Sequence, residues 1–417
     1  MLKCGFYEGD ITSNIGDVLP GGFGGRLSTM VRDKLYVSAF AVQVDEATSI
    51  TLILDALMVE EEEANAIKKG VSEQLNLPLE AINVSAIHTH GGGPLVSLYN
   101  DVKDSVYCKF VVTRAIDAGV MAYKNLAEAR IGVSKKEVQG VSYSRRYLGK
   151  DGKIHNNPKR QSPDIIGPID DVDRELTVIR IDYADGTPMG MISNFALHPA
   201  MAHAIEPCGI TADFPGVIRR CIKKELGAEF PFMFMQGASG NVNQRNAMGP
   251  KSESKGYIEI GEILAKETLE LFGSTSTKDA EVLKVVSSGF VGRTKRPTEE
   301  LINTLLVSEY TKNEMRKAIL LPNEDVEVQV TSVQIGDLLI HYLPGEYFGF
   351  FSLYLKEHSI CEHTIICELS NKKIGYICTR EARKMGGYDA SPSTYIIMDE
   401  NAGDQVLDAV KENMKKL

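Results

Sequence analysis

The sequence predicts an α/β protein with mixed β-sheets flanked by helices. Strand-like runs rich in Val, Ile, Leu and Phe alternate with runs of helical periodicity along the whole chain. Neither an internal repeat nor a low-complexity segment interrupts this alternation. The 417 residues, of which 43% are hydrophobic and 24% charged, have the composition of an ordinary globular protein and can bury a sizeable core.

The predicted elements follow one another in a regular order. Eight strands are predicted, at 35–44, 50–56, 82–88, 176–181, 189–197, 232–235, 326–335 and 338–343. Six helices are predicted, at 61–75, 109–129, 214–225, 256–271, 299–319 and 404–416. Two loop-rich stretches lie at 145–173 and 238–255. Because the candidate chemistry draws on segments before and after both stretches, we expect one domain over 1–417.

Charge and composition exclude several classes of partner. The 46 Lys and Arg against 56 Asp and Glu give a net charge of −10, so we do not expect nucleic acid as a partner. No apolar run reaches the roughly 18 residues of a membrane span, and the first residues lack the apolar region of a secretory signal. We therefore expect a cytoplasmic protein. Seven cysteines without a CxxC pair predict reduced thiols rather than a disulfide framework.

Three histidines follow predicted strands. His88 and His90 stand two residues apart, so in an extended chain their side chains point to the same face. The glycines that follow, at 91–93, let backbone or ligand approach closely. This arrangement suits a metal site, although an isolated pair of this kind is more often a chance surface feature. His198 ends a second strand, where it is either a ligand or a buried imidazole bonded to backbone.

Carboxylates and tyrosines complete the set of candidates. Glu346 lies at a Pro-Gly turn among apolar neighbours, where a buried carboxylate must be paired, protonated or bound to metal. The alternative is that it opens a helix. Asp213 either caps a helix or orients an imidazole. Taken singly, Tyr376 and Tyr388 are packing residues.

In order and spacing, these motifs resemble those of the neutral, non-lysosomal ceramidase family. The matching segments are IHTHGGGP at 87–94, NFALHP at 194–199, LPGE at 343–346 and GYICT at 375–379. The resemblance covers nearly the whole chain and implies a ceramidase-like catalytic domain. The additional immunoglobulin-like domain of the secreted ceramidases is not expected after residue 417.

The resemblance also implies a mononuclear Zn²⁺ site and the residues around it. The implied metal ligands are His88, His198, Glu346 and Tyr376. The implied catalytic residues beside the substrate carbonyl are His90, Arg145 and Tyr388. Arg146 is the alternative to Arg145 in this set. The residues expected to contact the rest of the substrate are Gly92, Asn243 and Tyr395.

The chemistry of this set is reasonable without the family. Two imidazoles and a carboxylate hold zinc in many hydrolytic sites, where the metal lowers the pKa of a water molecule to about 7. Such a water attacks an amide carbonyl, and His90 is the candidate that protonates the leaving amine. The predicted function is therefore hydrolysis of an N-acyl amide.

One segment departs from the family. Where ceramidases have Gly-Asp-x-Ser-Pro-Asn, this chain has Asn241 and Asn243 at the aspartate and serine positions. An amide side chain is not a nucleophile, so a serine-acyl route is not expected unless Ser239 replaces the missing serine. The substrate is thus a small-molecule or lipid-like amide, with ceramide itself in doubt.

Two alternative functions remain open at this stage. One is a metal-dependent esterase, lactonase or lyase, and the other is an inactive, metal-stabilised binding protein. The glycine-rich run at 20–26 fits neither common nucleotide-binding motif and is expected to be a surface or active-site loop.

Overall fold

The computed structural model describes residues 1–22, 25–253 and 255–417. Within these ranges the chain forms strands and helices in a mixed α/β arrangement, as predicted. The glycine-rich run at 20–26 is described only in part, because residues 23 and 24 lie outside these ranges. Among the described residues, no helix combines the length and the apolar character needed to span a bilayer. All seven cysteines are free thiols.

The strands are numbered in chain order. They are β1 (Leu2–Asp10), β2 (Met30–Val31), β3 (Tyr36–Val44), β4 (Ala47–Leu54), β5 (Ile82–Ala86), β6 (Ala127–Glu137), β7 (Tyr143–Ser144), β8 (Arg146–Gly149), β9 (Ile154–Asn156), β10 (Ile165–Pro168), β11 (Glu175–Tyr183), β12 (Pro188–Phe195), β13 (Gly209–Ile210), β14 (Phe232–Gln236), β15 (Val242–Asn243), β16 (Leu283–Arg293), β17 (Asp325–Ile335), β18 (Leu338–Tyr342), β19 (Glu346–Tyr347), β20 (His363–Cys367) and β21 (Tyr376–Ile377).

The α-helices are numbered in the same way. They are α1 (Glu61–Leu75), α2 (Ser105–Lys124), α3 (Ala202–Ile205), α4 (Asp213–Leu226), α5 (Tyr257–Ser274), α6 (Glu299–Thr304), α7 (Glu309–Ile319), α8 (Gly349–Glu357), α9 (Arg380–Met385) and α10 (Ala402–Lys416).

The largest sheet has eight strands in the order β14-β12-β11-β6-β1-β3-β4-β5. Within the described part of this sheet, β4 with β5 and β12 with β14 pair in parallel, and the other neighbours pair antiparallel. Strands β1 and β6 share just two residue pairs, so two four-stranded halves meet at one corner. Helices α1 and α2 cover one half and α4 and α5 the other, while β14 also contacts β3 and β4. The halves therefore share one core, with side chains such as Leu52, Met191 and Phe234 fully buried.

A second sheet has the order β16-β17-β18-β20 and contacts the first through β20 and β16. Helices α8 and α10 pack against it around Val330, Phe351 and Val406. Two small sheets, β19 with β21 and β7 with β15, lie at the site described below.

The predicted strands are all present, but two predicted helices differ. The helix predicted at 109–129 ends at Lys124, and residues 127–129 already belong to β6. The helix predicted at 299–319 is two helices, α6 and α7, because the chain leaves the helical conformation after Thr304 and Ser308 caps a new helix. Strands β1, β6, β16 and β20 carry too many polar or small residues to be predicted from apolar runs.

Candidate metal centre and active site

His88 is fixed by its backbone and by one hydrogen bond. Strand β5 ends at Ala86, so the same-face argument for 88 and 90 does not apply, and His88 instead takes a left-handed backbone with φ 69°. Its Nδ1 lies 2.8 Å from the Leu57 carbonyl oxygen, which assigns the proton to Nδ1. The lone pair on Nε2 then faces Glu346 Oε2 at 3.1 Å.

His198 reaches the same carboxylate from the end of β12. Its Nδ1 lies 3.8 Å from Glu346 Oε2, and its ring centroid lies 4.5 Å from that of His88. Its other nitrogen, Nε2, lies 3.3 Å from His90 Nε2. The His90 Nδ1 is within 2.9 Å of the Gly21 carbonyl oxygen and donates to it. His90 Nε2 is therefore a hydrogen-bond acceptor, and the His198 proton lies on Nε2, which donates to it. His198 Nδ1 is then unprotonated.

Asp213 holds the turn that follows His198. Its Oδ2 accepts the backbone N–H groups of Met201 and Ala202, at 2.9 and 2.6 Å. The carboxylate thus caps α3, which supports the capping interpretation of Asp213. The capped helix is not α4, the helix that begins at Asp213 itself.

Glu346 is placed by a tight turn and a short parallel pair of strands. Gly345 has φ 91°, and a Cβ there would lie 2.6 Å from the Gly375 carbonyl oxygen, so only glycine fits. Strand β19 then pairs with β21, with Glu346 opposite Tyr376. The Tyr395 hydroxyl donates to Glu346 Oε1, which leaves Oε2 directed toward the histidines.

The three converging atoms have the properties of metal ligands. His88 Nε2, His198 Nδ1 and Glu346 Oε2 are buried without a hydrogen-bond partner among the described residues. Buried polar atoms are almost always paired, and imidazole nitrogen and carboxylate oxygen are the atoms that zinc binds. Ligand atoms of His88, His90 and His198 also lie within 4.8 Å of one another. The cluster can hold a metal ion.

The protonation of these groups agrees with that chemistry. Burial, followed by the proximity of His88, lowers the pKa of His90 and of His198 well below 6.5. Neutral imidazole is the form that binds a metal. Burial raises the pKa of the Glu346 carboxyl, but His88, Tyr395 and Arg145 together outweigh burial and lower it. Glu346 is therefore a carboxylate at neutral pH.

Arg145 lies between two tyrosine rings. Its guanidinium carbon lies 4.8 Å from the ring centroid of Tyr376 and 5.1 Å from that of Tyr388. Its Nε donates to Asp389 Oδ2 at 3.1 Å, and its Nη2 donates to the Gly240 carbonyl oxygen. Arg146 also donates to Asp389, but its Nε is paired with Asp170 on the other side. Of the two neighbouring arginines, Arg145 is the one beside the tyrosines.

The tyrosines are neutral hydrogen-bonding groups in this arrangement. Burial raises the pKa of Tyr388 to about 12, although Arg145 opposes the shift. Burial likewise raises the pKa of Tyr376 and of Tyr395 well above 10. Tyr376 also faces Tyr395 edge to face, with ring centroids 5.6 Å apart.

A cavity of about 300 Å³ opens onto these groups. Nine of the ten predicted site residues line it, namely His88, His90, Arg145, His198, Asn243, Glu346, Tyr376, Tyr388 and Tyr395. The tenth, Gly92, does not line this cavity, and its contact with substrate stays a prediction. A Cβ at Gly92 would lie 3.0 Å from the Cα of Ala56, so this glycine permits backbone packing.

The segment that departs from the family has two different roles. Asn243 lines the cavity, where its Nδ2 donates to Asn157 Oδ1 at 2.7 Å and its Oδ1 accepts the Gln244 N–H at 2.8 Å. Ser239 is fully buried, and its hydroxyl donates to Glu368 Oε1 at 2.6 Å. This hydroxyl is held away from the cavity, so Ser239 does not replace the missing nucleophile.

Sequence reasoning missed several residues of the site. Asp389 is the buried carboxylate that pairs with both Arg145 and Arg146. It could have been sought from the sequence, because two adjacent buried arginines need a carboxylate partner. His203 stacks on His90 with ring centroids 5.6 Å apart, and Tyr99 lines the cavity. Tyr99 lies in a turn and His203 in the four-residue helix α3, and neither segment is long enough for a periodicity or motif to distinguish the residue.

Comparison with known proteins gives the same family as the motifs. Residues 3–232 match the model of the family described as neutral/alkaline non-lysosomal ceramidase, N-terminal. The neutral ceramidase from Pseudomonas aeruginosa has a similar fold, with a TM-score of 0.76 at 16% identity over 100% of this chain and 75% of that chain. A ceramidase complexed with C2 gives a TM-score of 0.75 at 15% identity over 99% of this chain and 76% of that chain. No curated protein matches the sequence. Because the family model covers more than half of the chain, the protein belongs to the neutral/alkaline non-lysosomal ceramidase family.

Proposed function

We propose that this protein is a zinc-dependent hydrolase that cleaves the amide bond of an N-acyl compound. The observation that carries the proposal is the convergence of three unpaired buried atoms, His88 Nε2, His198 Nδ1 and Glu346 Oε2, at a cavity. With Tyr376 opposite Glu346, these residues would hold the ion. When bound, zinc supplies a Lewis acid that polarises a carbonyl and lowers the pKa of water to about 7.

The chain's own residues supply the remaining steps. Arg145, held by Asp389, and the neutral hydroxyl of Tyr388 would donate hydrogen bonds to the carbonyl oxygen as negative charge develops on it. A well-placed donor of this kind contributes about 2.7 to 4 kcal/mol. His90 donates from Nδ1 to Gly21, so Nε2 is the atom that would take a proton from water and return it to the leaving amine, once the hydrogen bond from His198 Nε2 to that atom is released.

The cavity favours a compact substrate with polar groups. Its volume of about 300 Å³ is at the lower end for ligand pockets, and its lining is rich in histidine, tyrosine and asparagine side chains. A second cavity of about 270 Å³ adjoins it and shares Tyr99, Asn157, Tyr376 and Tyr388. The two cavities would receive the two substituents of the amide, on either side of the scissile bond. A small N-acyl amine or N-acyl amino acid fits these dimensions better than a two-chain lipid.

Metal analysis is the direct test of the site. We expect about one zinc per chain in the purified protein, and its loss in His198→Ala and Glu346→Gln. His155→Asn is the matched control, because His155 lies outside the cavity and pairs with Asp151 on the surface. A protein that hydrolyses amides without any bound metal, or a Glu346→Gln variant that keeps zinc at full affinity, would contradict the proposal.

Substrate screening separates the remaining possibilities. The zinc-loaded protein is incubated in ¹⁸O-labelled water with panels of N-acyl amines, N-acyl amino acids, esters and lactones, and with short-chain and long-chain ceramides. Label in the released carboxylate from an amide supports the proposed reaction. Turnover of esters or lactones alone assigns an esterase, turnover without label assigns a lyase, and a ligand that binds but is recovered intact assigns a binding protein.

A further inference from the structure

A third cavity, separate from the two described above, is rich in cationic side chains. It has a volume of about 460 Å³ and lies between helix α9, the loop at 390–392 and the segment that leads into α6. Five of its eleven lining residues are basic, namely Lys295, Arg296, Arg380, Arg383 and Lys384. Glu400 is the one acidic residue of the lining. In a chain with a net charge of −10, this concentration of positive charge is a property of the fold and not of the composition.

The positive charge of this cavity is only partly neutralised. Lys295 pairs with Glu400 at 2.8 Å, and Arg380 pairs with Asp404 of α10. Among the described residues, no ion pair involves the other three cations, which are Arg296, Arg383 and Lys384.

Backbone oxygens are the recorded partners of the two remaining guanidinium groups. Arg296 donates to the Pro322 carbonyl oxygen, and Arg383 Nη2 donates to that of Met398 at 3.0 Å. A carbonyl oxygen carries no net charge. In the described part of the chain these three cations therefore have no ion pair, although Arg383 is close enough to Glu400 to help lower the pKa of that carboxyl.

Two lining residues also have unpaired buried donors. Arg383 Nε and Nη1 have no hydrogen-bond partner in the part of the chain that the structure describes, and neither has the hydroxyl of Ser391. Ser391 is 1% exposed, so bulk water does not solvate it. Leaving such donors unpaired is unfavourable, and more so for a charged group. A bound acceptor with several oxygens would remove that cost.

We propose that this cavity binds the phosphate group of a phosphate-bearing anion. Phosphate offers three acceptor oxygens and nearly two negative charges, which matches the unpaired donors of Arg383 and Ser391 and the charge of Lys384. The guanidinium fork is suited to bidentate contact with phosphate. The donors are buried in a concave site, which favours a discrete phosphate group over contact with a flat charged surface. The inference is independent of the proposed amidase function, because none of these residues lines the catalytic cavity.

Binding to the purified 417-residue protein tests the site. Inorganic phosphate and glycerol 1-phosphate are titrated calorimetrically in a chloride buffer, against Arg383→Gln, Lys384→Gln and the control Lys266→Gln. Lys266 is an exposed lysine of α5 that pairs with Glu270, so its replacement removes the same charge elsewhere. We expect saturable binding at one site, about tenfold weaker in each cavity variant and unchanged in the control. Lys384 is exposed, so its variant serves as the test even if Arg383→Gln does not fold.

A second arm identifies the source of the phosphate. Vesicles of phosphatidylcholine are compared with vesicles that also contain phosphatidic acid. Phosphatidic acid binding that soluble phosphate displaces supports the site and identifies a lipid headgroup as the ligand, whereas binding of soluble phosphate alone supports a free metabolite. Vesicle binding that phosphate does not displace, an absence of phosphate binding, or equal weakening by Lys266→Gln would overturn the proposal.

Discussion

The clearest test of how the site is held together is the replacement Asp389→Asn. Asp389 is fully buried and accepts hydrogen bonds from both Arg145 and Arg146. Asparagine has nearly the same size, but it removes the charge and one acceptor oxygen. Breaking a buried ion pair by removing one partner costs about 3 to 5 kcal/mol, so we expect the free energy of unfolding to fall by about that amount.

The same replacement is expected to reduce catalysis by more than the loss of folded protein. Without Asp389, the guanidinium group of Arg145 is no longer fixed between Tyr376 and Tyr388. If Arg145 stabilises the developing oxyanion, its displacement costs about 2.7 to 4 kcal/mol, which is about 100-fold to 1,000-fold in kcat. KM should change little, because the interaction is made in the transition state. The assay combines urea denaturation, zinc content and steady-state kinetics on the best amide substrate.

Asp170→Asn is the matched control for this experiment. Asp170 pairs with Arg146 but not with Arg145, so this variant should lose some stability and keep its kcat. A folded, zinc-loaded Asp389→Asn variant with full kcat would refute the role of the aspartate. So would an equal loss of kcat in Asp170→Asn, since the effect would then not pass through Arg145.

Three further predictions concern the metal, the backbone and pH. Tyr395→Phe should weaken the proposed zinc binding by about 10-fold to 100-fold, because it removes the hydrogen bond that orients Glu346, the proposed carboxylate ligand. Tyr347→Phe removes a buried hydroxyl without a partner in the described structure and should leave zinc affinity unchanged. Competition with a chelator measures both affinities. Gly375→Ala should lower the free energy of unfolding by about 1 to 3 kcal/mol, because φ is 78° and a Cβ would overlap the carbonyl oxygen of Tyr395. Gly273 lies in a helix with open space around it, so Gly273→Ala should raise the free energy of unfolding by about 0.5 to 1 kcal/mol. The opposite order of stabilities in denaturant titrations would contradict this prediction. Burial lowers the pKa of His341 from 6.5 to about 3, so between these pH values the unfolded chain binds a proton that the folded protein does not. The free energy of unfolding should therefore fall on acidification from about pH 6.5 to about pH 3, by at most about 1.4 kcal/mol per pH unit. In unfolding experiments across that range, His341→Gln should show a smaller fall.

The sequence identified candidate site residues, but it did not predict the backbone features that bring them together. The histidines, Glu346 and Tyr376 were identified because their motifs keep the order and spacing of a known family. Their convergence depends on features without a sequence signature, such as the left-handed backbone at His88 and the two-residue pairing of β19 with β21. Gly92 illustrates the same limit, since a glycine needed for packing and a glycine needed for a ligand are identical in sequence.

The α/β class and the eight predicted strands followed from hydrophobic periodicity alone. Strands such as β6 and β16 were not predicted because each has one solvated face and therefore no continuous apolar run. The division of residues 299–319 into α6 and α7 was also missed, since both helices keep a helical pattern and only the cap at Ser308 separates them. That residues 1–417 form a single domain stays a prediction.

By itself, the sequence determined the fold class and the residue types available for metal and amide chemistry, because periodicity and motif order are local properties of the chain. Only the tertiary structure decided which atoms of those residues face one another, that Arg145 and not Arg146 lies against the tyrosines, and that Asp389 holds both. These outcomes depend on distances between residues as far apart as 88 and 346 or 145 and 389. Such distances are set by packing of the whole chain, which no local pattern encodes.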